Sequence, residues 1–402
     1  MKTTNKNQIR LSIITAWCLL SVCSTSFAAS KQEKTEELFS LINQRLSYME
    51  DVALYKAQHG IEIEDKQRET VVVNNATQAA VRSGIKAAGA KEFFIAQITA
   101  AKVIQHEVLK NRSNEFIQRA DPRDLKKEIR PALINLGTEI LRKASDYLIH
   151  FDHVIEADFT LFQQQINSPY LGDDQKRVLF NAMRGLSLSK ILPSGFVDVN
   201  DIEPAIRYDL RYLGEHNFLG VVVDGYFAKR LILSKPAAEA LSRVQSDLQA
   251  FGLGLLVYDA YRPQRAVDHF VRWAEDLGDL QNKQEFYPNV AKAELFKRDY
   301  IASRSSHTRG STVDLTIIAK TEVFESAPVK PLDMGSAYDF FGTISWPEYP
   351  SITAQQRANR MLLRTLMIKH GFKIYPKEWW HFTLVDEPYP DTYFDFPIIS
   401  RL

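Results

Sequence analysis

Apolar residues recur every three to four positions through residues 30–185, and this spacing limits the fold of that region more than any other sequence feature. A period near 3.6 places the recurring residues on one face of an α-helix. Breaks rich in Gly and Pro divide the region into separate helices, so the pattern predicts an all-α helical bundle. The breaks fall at His59-Gly60, Gly84 to Gly89, Asp121-Pro122 and Ser168-Pro169. The clearest apolar runs are Leu38, Leu41, Ile42, Leu46 and Met49; Phe93, Phe94, Ile98, Ala101 and Ile104; and Leu133, Leu136, Ile140, Leu141 and Leu148.

The second half of the chain mixes two periods. Short β-branched or apolar runs predict strands at residues 218–223, 253–258 and 312–318. Helical spacing predicts helices at residues 237–251, 265–277 and 355–370, the last ended by Gly371. This combination predicts an α+β domain with a small, mainly antiparallel sheet.

A short connector separates the two patterns. Residues 186–195 have the Ser, Pro and Gly content of a linker. A chain of 402 residues is long enough for two separate cores. The predicted domains are therefore residues 29–185 and 196–402, preceded by a leader at residues 1–28.

The leader has the composition of a signal peptide. Basic residues precede an apolar run at residues 11–22, and Ser26-Phe27-Ala28 supplies small residues for cleavage before Ala29. A membrane anchor or a buried helix is the alternative, but the run is short for a membrane span. Lipid attachment at Cys23 is disfavoured by the bulk of Val22. We expect a periplasmic or secreted protein without stable membrane insertion after the leader is removed.

Removal of the leader changes the charge and the cysteine count. The leader holds three of the 50 basic residues and none of the 49 acidic ones, which leaves 47 against 49. This balance predicts no binding to nucleic acid. Both cysteines, Cys18 and Cys23, lie in the leader. Any metal ligands in the mature protein are therefore His, Asp or Glu side chains.

Four residues of the second domain have the types that a hydrolytic metal site requires. His307 and Asp314 are seven residues apart with a glycine between them, and Glu378 precedes His381 by three residues. Two histidines and one aspartate can hold a single zinc ion and leave a position open, while the glutamate stays free as a base. An isolated histidine is more often a packed or surface residue. The neighbouring carboxylates favour the metal site here.

Some cations of the first domain share a predicted helix face with apolar residues. Arg45 and Lys56 are eleven residues apart, close to three helical turns, so both lie on one face that also carries apolar residues. Arg68 follows near the start of the next helix, and Gln105 lies further along the chain. The alternative for any single cation is a solvated surface charge.

These segments resemble the secreted, all-helical AroQ-type chorismate mutases. The resemblance implies a metal-free site lined by Arg45, Lys56 and Arg68, supported by Asp65 and Gln105, and a homodimer. Rearranging chorismate to prephenate needs no nucleophile or cofactor, only donors that hold the two carboxylates and the ether oxygen. The matching segments are LFSLINQRLSYM (38–49), VALYK (52–56), IED (63–65) with Arg68, FFIAQI (93–98) and AAK (100–102).

One position departs from this family's pattern. Members commonly bring a further arginine from a late helix, and the aligned position here holds Glu139. Arg130 and Arg142 are both candidates to replace it.

The second domain resembles the D-Ala-D-Ala dipeptidases of the VanX-like class of zinc peptidases. The matching blocks are NFLG (217–220), VDGY (223–226), YDAYRP (258–263), SSHTRGSTVD (305–314), DMGS (333–336) with Asp339-Phe340, and EWWH (378–381). One departure is Thr312, where the family has alanine.

This second resemblance implies a role for each matching residue. His307, Asp314 and His381 are the zinc ligands, and Glu378 is the general base. Arg262 stabilises the oxyanion, and Asp339 binds the free amino group of the dipeptide; a structural ion pair is the alternative for both. Ser305, Ser306 and Tyr212 are further candidates for substrate contact.

Two readings of the whole chain remain at the level of sequence. The first is a bifunctional exported enzyme that acts on chorismate and on D-Ala-D-Ala. The second is a zinc D,D-carboxypeptidase for cell-wall peptides, joined to a mutase domain that has lost catalysis and serves as a binding or scaffold module. Both require small-molecule or peptide substrates only.

Overall fold

The computed structural model describes residues 31–319 and 330–401, and the predicted leader lies outside them. The chain divides into two compact units, one up to Ser189 and one from Lys190. Among the described helices, none combines the length and apolar content needed to cross a membrane.

The first unit is a bundle of helices, which confirms the predicted all-α class. Its core is aromatic: the rings of Phe39 and Phe162 meet edge to face at 5.1 Å, and Phe180 lies 5.3 Å from Phe162. A π-helical turn, Leu125–Ile129, leads directly into the sixth helix. The helices are residues 31–47 (α1), Met49–Gln58 (α2), Lys66–Arg82 (α3), Ala87–Lys110 (α4), Asn114–Arg119 (α5), Arg130–Phe151 (α6), Phe159–Gln165 (α7) and Asp173–Arg184 (α8).

The second unit is an α+β domain, as predicted. Its main sheet has the strand order β2-β4-β5-β7-β6, and only the β2–β4 pair is parallel. A separate antiparallel pair joins β1 and β3. The elements are β1 (Phe196–Asp198), α9 (Val199–Ile202), β2 (Arg207–Tyr208), β3 (Ile232–Ser234), α10 (Lys235–Gln249), β4 (Leu253–Asp259), α11 (Gln264–Glu275), α12 (Lys283–Phe286), β5 (Thr312–Ala319), α13 (Ala354–Lys369), β6 (Phe372–Tyr375) and β7 (Glu378–Leu384).

The strand expected at residues 218–223 is wrong, because this segment forms turns. The fully buried Asn217 side chain organises them. Its amide nitrogen donates to the carbonyls of Gly214 and Val221, and its oxygen accepts from the amide of Leu219. A side chain that satisfies so many local backbone groups competes with strand pairing.

The three central strands bring polar side chains into one row. Asp314 of β5 lies opposite His381 of β7 and opposite Asp259 of β4. A bulge between Val257 and Asp259 shifts the register, and without it the partner of Asp259 is Val313. Since directly opposed residues share a face, the bulge places Asp259 beside Asp314.

Candidate active sites

The candidate metal ligands lie close together at the central strands of the main sheet. The ligand atoms of His307, Asp314 and His381 all lie within 4.8 Å of one another. His307 Nε2 is 3.2 Å from Asp314 Oδ2, and His381 Nδ1 is 3.1 Å from Asp314 Oδ1. The sequence therefore predicted a cluster that the fold assembles from a short helical turn and two strands.

A backbone contact fixes the tautomer of His307. Its Nδ1 lies 2.7 Å from the Ala260 carbonyl oxygen, which only accepts, so Nδ1 carries the proton and Nε2 presents a lone pair. The short helical turn Ser306–Arg309 that carries His307 ends at Gly310 with φ of +82°. A Cβ there would come within 2.2 Å of the Phe196 ring, so glycine is required for two reasons.

The donor set fits a divalent cation. Asp314 is 2% exposed, and each of its oxygens faces a histidine nitrogen, Oδ2 that of His307 and Oδ1 that of His381. Burial alone raises the pKa of Asp314, but the two histidines outweigh it and hold that pKa below its ordinary value. A buried, ionised carboxylate with two histidine lone pairs at one point matches the ligands that zinc prefers.

Glu378 stands beside this cluster at the start of β7. Its Oε2 lies 3.4 Å from His381 Nδ1. Burial raises the pKa of Glu378 to about 7, with the nearby Asp314 charge acting in the same direction. A carboxyl group with a pKa near neutrality is suited to accept a proton and return it.

Arg262 is held in place by Asp259, which the sequence analysis did not single out. Arg262 Nε donates to Asp259 Oδ2 at 2.8 Å, and the second contact, from its Nη2, is also 2.8 Å. Tyr226 donates to Asp259 Oδ1 at 2.7 Å. Asp259 is 1% exposed. Its position after a β-bulge gave no signal in the sequence, because the pairing register is a property of the folded sheet.

Asp339 and Tyr212 form a second buried pair. The Tyr212 hydroxyl donates to Asp339 Oδ2 at 2.8 Å. Asp339 adopts a left-handed conformation with φ of +59°, which is uncommon outside glycine but more accessible to Asp than to most residues. Burial raises the pKa of Asp339 well above its usual range. Such a carboxyl group gains strongly from an incoming cation.

The two serines lie on the same turn as His307. Ser305 accepts a hydrogen bond from the amide of His307 at 3.3 Å, so part of its role is to cap the turn. The Ser306 hydroxyl is 3.3 Å from His381 Nε2. A cavity of about 360 Å³ is lined by every candidate of this domain, namely Tyr212, Arg262, Ser305, Ser306, His307, Asp314, Asp339, Glu378 and His381.

A hydrogen-bond partner explains why threonine is tolerated at position 312, where the dipeptidase family has alanine. Its hydroxyl lies 2.9 Å from that of Thr383, its neighbour across β5 and β7. Both residues are buried, and the pair satisfies both hydroxyls.

In the first unit, three cations gather near the start of α6. Arg45 Nη1 donates to the carbonyl of Leu133 at 3.1 Å, one turn after Arg130. Lys56 Nζ donates to the carbonyl of Ile63 at 2.8 Å, and the Arg130 charge is close enough to contribute to lowering its pKa, which burial lowers most. Burial also lowers the pKa of Arg45 to about 10. Among the described residues, no carboxylate lies within 4 Å of Arg45 or Arg130.

Glu139 and Arg142 are occupied with each other. Arg142 Nη2 donates to Glu139 Oε2 at 2.7 Å along α6, and both residues are half-buried. Arg130, at the first position of α6, is the arginine that lies near Lys56.

The other residues predicted for this site differ in their burial. Gln105 is buried: its amide donates to the Ala101 carbonyl at 3.1 Å and approaches Met49 Sδ at 3.8 Å, while its Oε1 has no described partner. Met49 is seven residues before Lys56 on α2, and therefore on the same face. Asp65 caps α3 by accepting from the amide of Arg68 at 2.9 Å. Asp65 and Arg68 are both exposed.

Comparison with known proteins finds a relative for each unit. Residues 193–399 match the family described as D-ala-D-ala dipeptidase, and residues 32–106 match chorismate mutase type II. The D-alanyl-D-alanine dipeptidase of Streptomyces coelicolor is 44% identical over 203 residues, which is 50% of this chain and 98% of that protein. The secreted chorismate mutase of Yersinia pestis is 34% identical over 139 residues, which is 35% of this chain and 74% of that protein.

A solved structure also matches the first unit. The crystal structure of the secreted chorismate mutase from Yersinia pestis is 30% identical, covers 38% of this chain and 98% of its own, and has a TM-score of 0.34.

Both resemblances are therefore confirmed: the chain is an enzyme with a mutase unit followed by a metallopeptidase unit. It belongs to the chorismate mutase family through its first unit and to the D-ala-D-ala dipeptidase family through its second.

Proposed function

We propose that the second unit hydrolyses D-alanyl-D-alanine with one zinc ion held by His307, Asp314 and His381. The observation that carries the proposal is the three-ligand cluster, with His307 and Asp314 buried and His381 half-buried, and Glu378 at its edge, 3.4 Å from His381. The two histidine nitrogens and the carboxylate suit zinc rather than a hard, oxygen-seeking cation. The chemistry that zinc supplies when bound is Lewis acidity, which lowers the pKa of water towards neutrality.

Glu378 moves the proton in this mechanism. As the oxygen of water adds to the peptide carbonyl carbon, Glu378 accepts a proton from the water. It then delivers that proton to the amide nitrogen as the C–N bond breaks, so the amine leaves in neutral form. The raised pKa supports both transfers, because the carboxyl group exchanges protons near neutral pH.

Arg262 and Asp339 position the dipeptide through its carbonyl oxygen and its α-ammonium group. The salt bridge to Asp259 fixes the Arg262 guanidinium, which faces the cavity and stabilises the negative charge that develops on the carbonyl oxygen. Asp339, supported by Tyr212, receives the α-ammonium group of the substrate. Ser305 and Ser306 contact the substrate from the turn of His307. A free amino terminus is then a requirement for binding, which favours dipeptides.

Comparing two substrates, with and without a chelator, tests this proposal. The full chain is expected to release D-alanine from free D-Ala-D-Ala, and a strong chelator is expected to stop that release because the cluster then lacks its cation. Formation of prephenate is expected to continue in the chelator, since the cation site belongs to the second unit. Release of D-alanine from a stem pentapeptide alone would instead establish the D,D-carboxypeptidase alternative.

We also propose that the first unit rearranges chorismate to prephenate without a cofactor. Arg45, Lys56 and Arg130 bring three positive charges to one region of the bundle, and no described carboxylate pairs with Arg45 or Arg130. Such a cluster is suited to a dicarboxylate substrate. Lys56 and Gln105 donate to the ether oxygen as its bond to carbon breaks. Arg68 and Asp65 complete the site from the start of α3.

Arg130, rather than Arg142, is proposed to supply the late arginine of this site. Arg130→Ala is expected to lower kcat/KM for chorismate about 100-fold, the scale of one lost charge-assisted contact. Arg142→Ala, the matched control, is expected to change kcat/KM less than about threefold, because Arg142 pairs with Glu139 on its own helix. Steady-state kinetics on both variants gives the comparison, and a larger loss for Arg142→Ala would reverse the assignment.

Export is proposed for the whole chain. The basic, apolar and small-residue pattern of residues 1–28 supports it, as does the secreted mutase among the relatives. A periplasmic or extracellular location agrees with a mature sequence free of cysteine.

A further inference from the structure

We propose that the Tyr338 hydroxyl is a positioning group that joins the metal-binding carboxylate of Asp314 to the amine-binding pair of Tyr212 and Asp339. The inference rests on the proposed dipeptidase function. Tyr338 Oη lies 3.2 Å from Asp314 Oδ2 and 3.2 Å from Tyr212 Oη. Tyr212 Oη in turn lies 2.8 Å from Asp339 Oδ2. Four oxygens thus form one continuous chain between the two ends of the site.

Burial raises the free-energy cost of losing any of these contacts. The exposed fractions are 5% for Tyr338, 1% for Tyr212, 2% for Asp314 and 6% for Asp339. A buried oxygen that loses its hydrogen bond therefore carries the full desolvation cost.

The ring of Tyr338 is held from two sides. Tyr258 stacks on it at 4.6 Å with an interplanar angle of 23°, and Trp380 meets it edge to face at 5.3 Å. Tyr338 also directly precedes Asp339, whose backbone has a left-handed φ of +59°. The hydroxyl is thereby fixed between Asp314 and Tyr212.

The shared Tyr338 proton couples the two ends. Tyr338 Oη has both Asp314 Oδ2 and Tyr212 Oη within hydrogen-bond distance, and its single proton serves one of these contacts at a time. An ammonium group at Asp339 brings additional donors to that carboxylate, which frees the Tyr212 hydroxyl to donate to Tyr338 and the Tyr338 hydroxyl to donate to Asp314. Occupancy of the amine site then strengthens the hydrogen bond that orients the Asp314 carboxylate.

Tyr338→Phe tests this link because it removes one oxygen and keeps the ring. The zinc dissociation constant, measured by competition with a chromogenic chelator, is expected to rise about 10- to 100-fold, the usual effect of losing a hydrogen bond to a metal ligand. At saturating zinc, KM for D-Ala-D-Ala is expected to rise about tenfold, because Tyr212 loses its support.

Tyr258→Phe is the matched control. Tyr258 stacks on Tyr338, but its own hydroxyl makes no hydrogen bond with the described residues. Neither the zinc dissociation constant nor KM is expected to change more than about twofold. Both measurements use the full chain, and the zinc measurement does not depend on turnover.

Each outcome of these measurements either supports or overturns the proposed link. A rise in both quantities for Tyr338→Phe and in neither for Tyr258→Phe supports the link. A rise in one quantity alone, no change in either, or an equal effect of Tyr258→Phe would overturn it. If Tyr338→Phe does not fold, Tyr212→Phe probes the link from its other end: a raised zinc dissociation constant supports it, and an unchanged one overturns it. Wild-type protein that binds zinc without hydrolysing D-Ala-D-Ala would contradict the proposed function instead.

Discussion

Glu378→Gln is expected to slow hydrolysis of D-Ala-D-Ala by a factor of about 10² to 10⁴, the usual contribution of a positioned general base. Glutamine keeps the shape of the side chain but cannot accept the proton of the attacking water. Zinc binding and prephenate formation are expected to persist, because His307, Asp314 and His381 are untouched and the mutase unit has its own site. Hydrolysis within a few-fold of the wild-type rate would remove Glu378 from the mechanism.

The pH dependence of wild-type hydrolysis provides a second measurement on the same residue. Glu378 must be ionised to act as a base, so kcat/KM is expected to fall as the pH decreases through the pKa of this group. Burial places that pKa at about 7 without a cation. A bound cation favours the ionised form and moves the acid limb to lower pH.

Stability provides the control for folding of this variant. A pKa raised above the unfolded value means that the ionised form costs stability at high pH, whereas the protonated form costs none at low pH. In the metal-free protein, Glu378→Gln is therefore expected to raise the melting temperature more at pH 8 than at pH 5. A lower melting temperature at both values would indicate structural damage rather than loss of a base.

Arg45→Ala is expected to reduce conversion of chorismate strongly while leaving the peptidase intact. Removing one charge-assisted contact to the reacting dicarboxylate costs about 3 to 4 kcal/mol in the transition state, or a factor of about 10² to 10³ in kcat/KM. The measurement is the loss of chorismate absorbance with the full chain.

A size-matched variant distinguishes loss of contact from loss of fold. Burial lowers the pKa of Arg45 to about 10, so its charge is costly in the free protein, and Arg45→Met is expected to keep or raise the melting temperature. Inactivity with a retained melting transition supports a binding role. Full activity of either variant would contradict the assignment of Arg45 to the site.

The local elements followed from short-range chemistry. The 3.6-residue period and the Gly and Pro breaks predicted the bundle, and short β-branched or apolar runs predicted β4 and β5, because these patterns are local properties of the chain. The strand predicted for residues 218–223 is wrong, although the chemistry there is also short-range. Their apolar run resembled a strand, but the Asn217 side chain satisfies the backbone in turns.

The sequence by itself determined the two families and the ligand types, since ligand identity and spacing lie in contiguous motifs. Only the tertiary structure decided which further residues lie close to the predicted site residues. Asp259 meets Arg262 and Asp314 through a bulge, Tyr338 reaches Asp314 from a separate loop, and Arg130 rather than Arg142 lies near Lys56. These contacts join residues far apart in the chain, and their geometry exists only after strands and helices have packed.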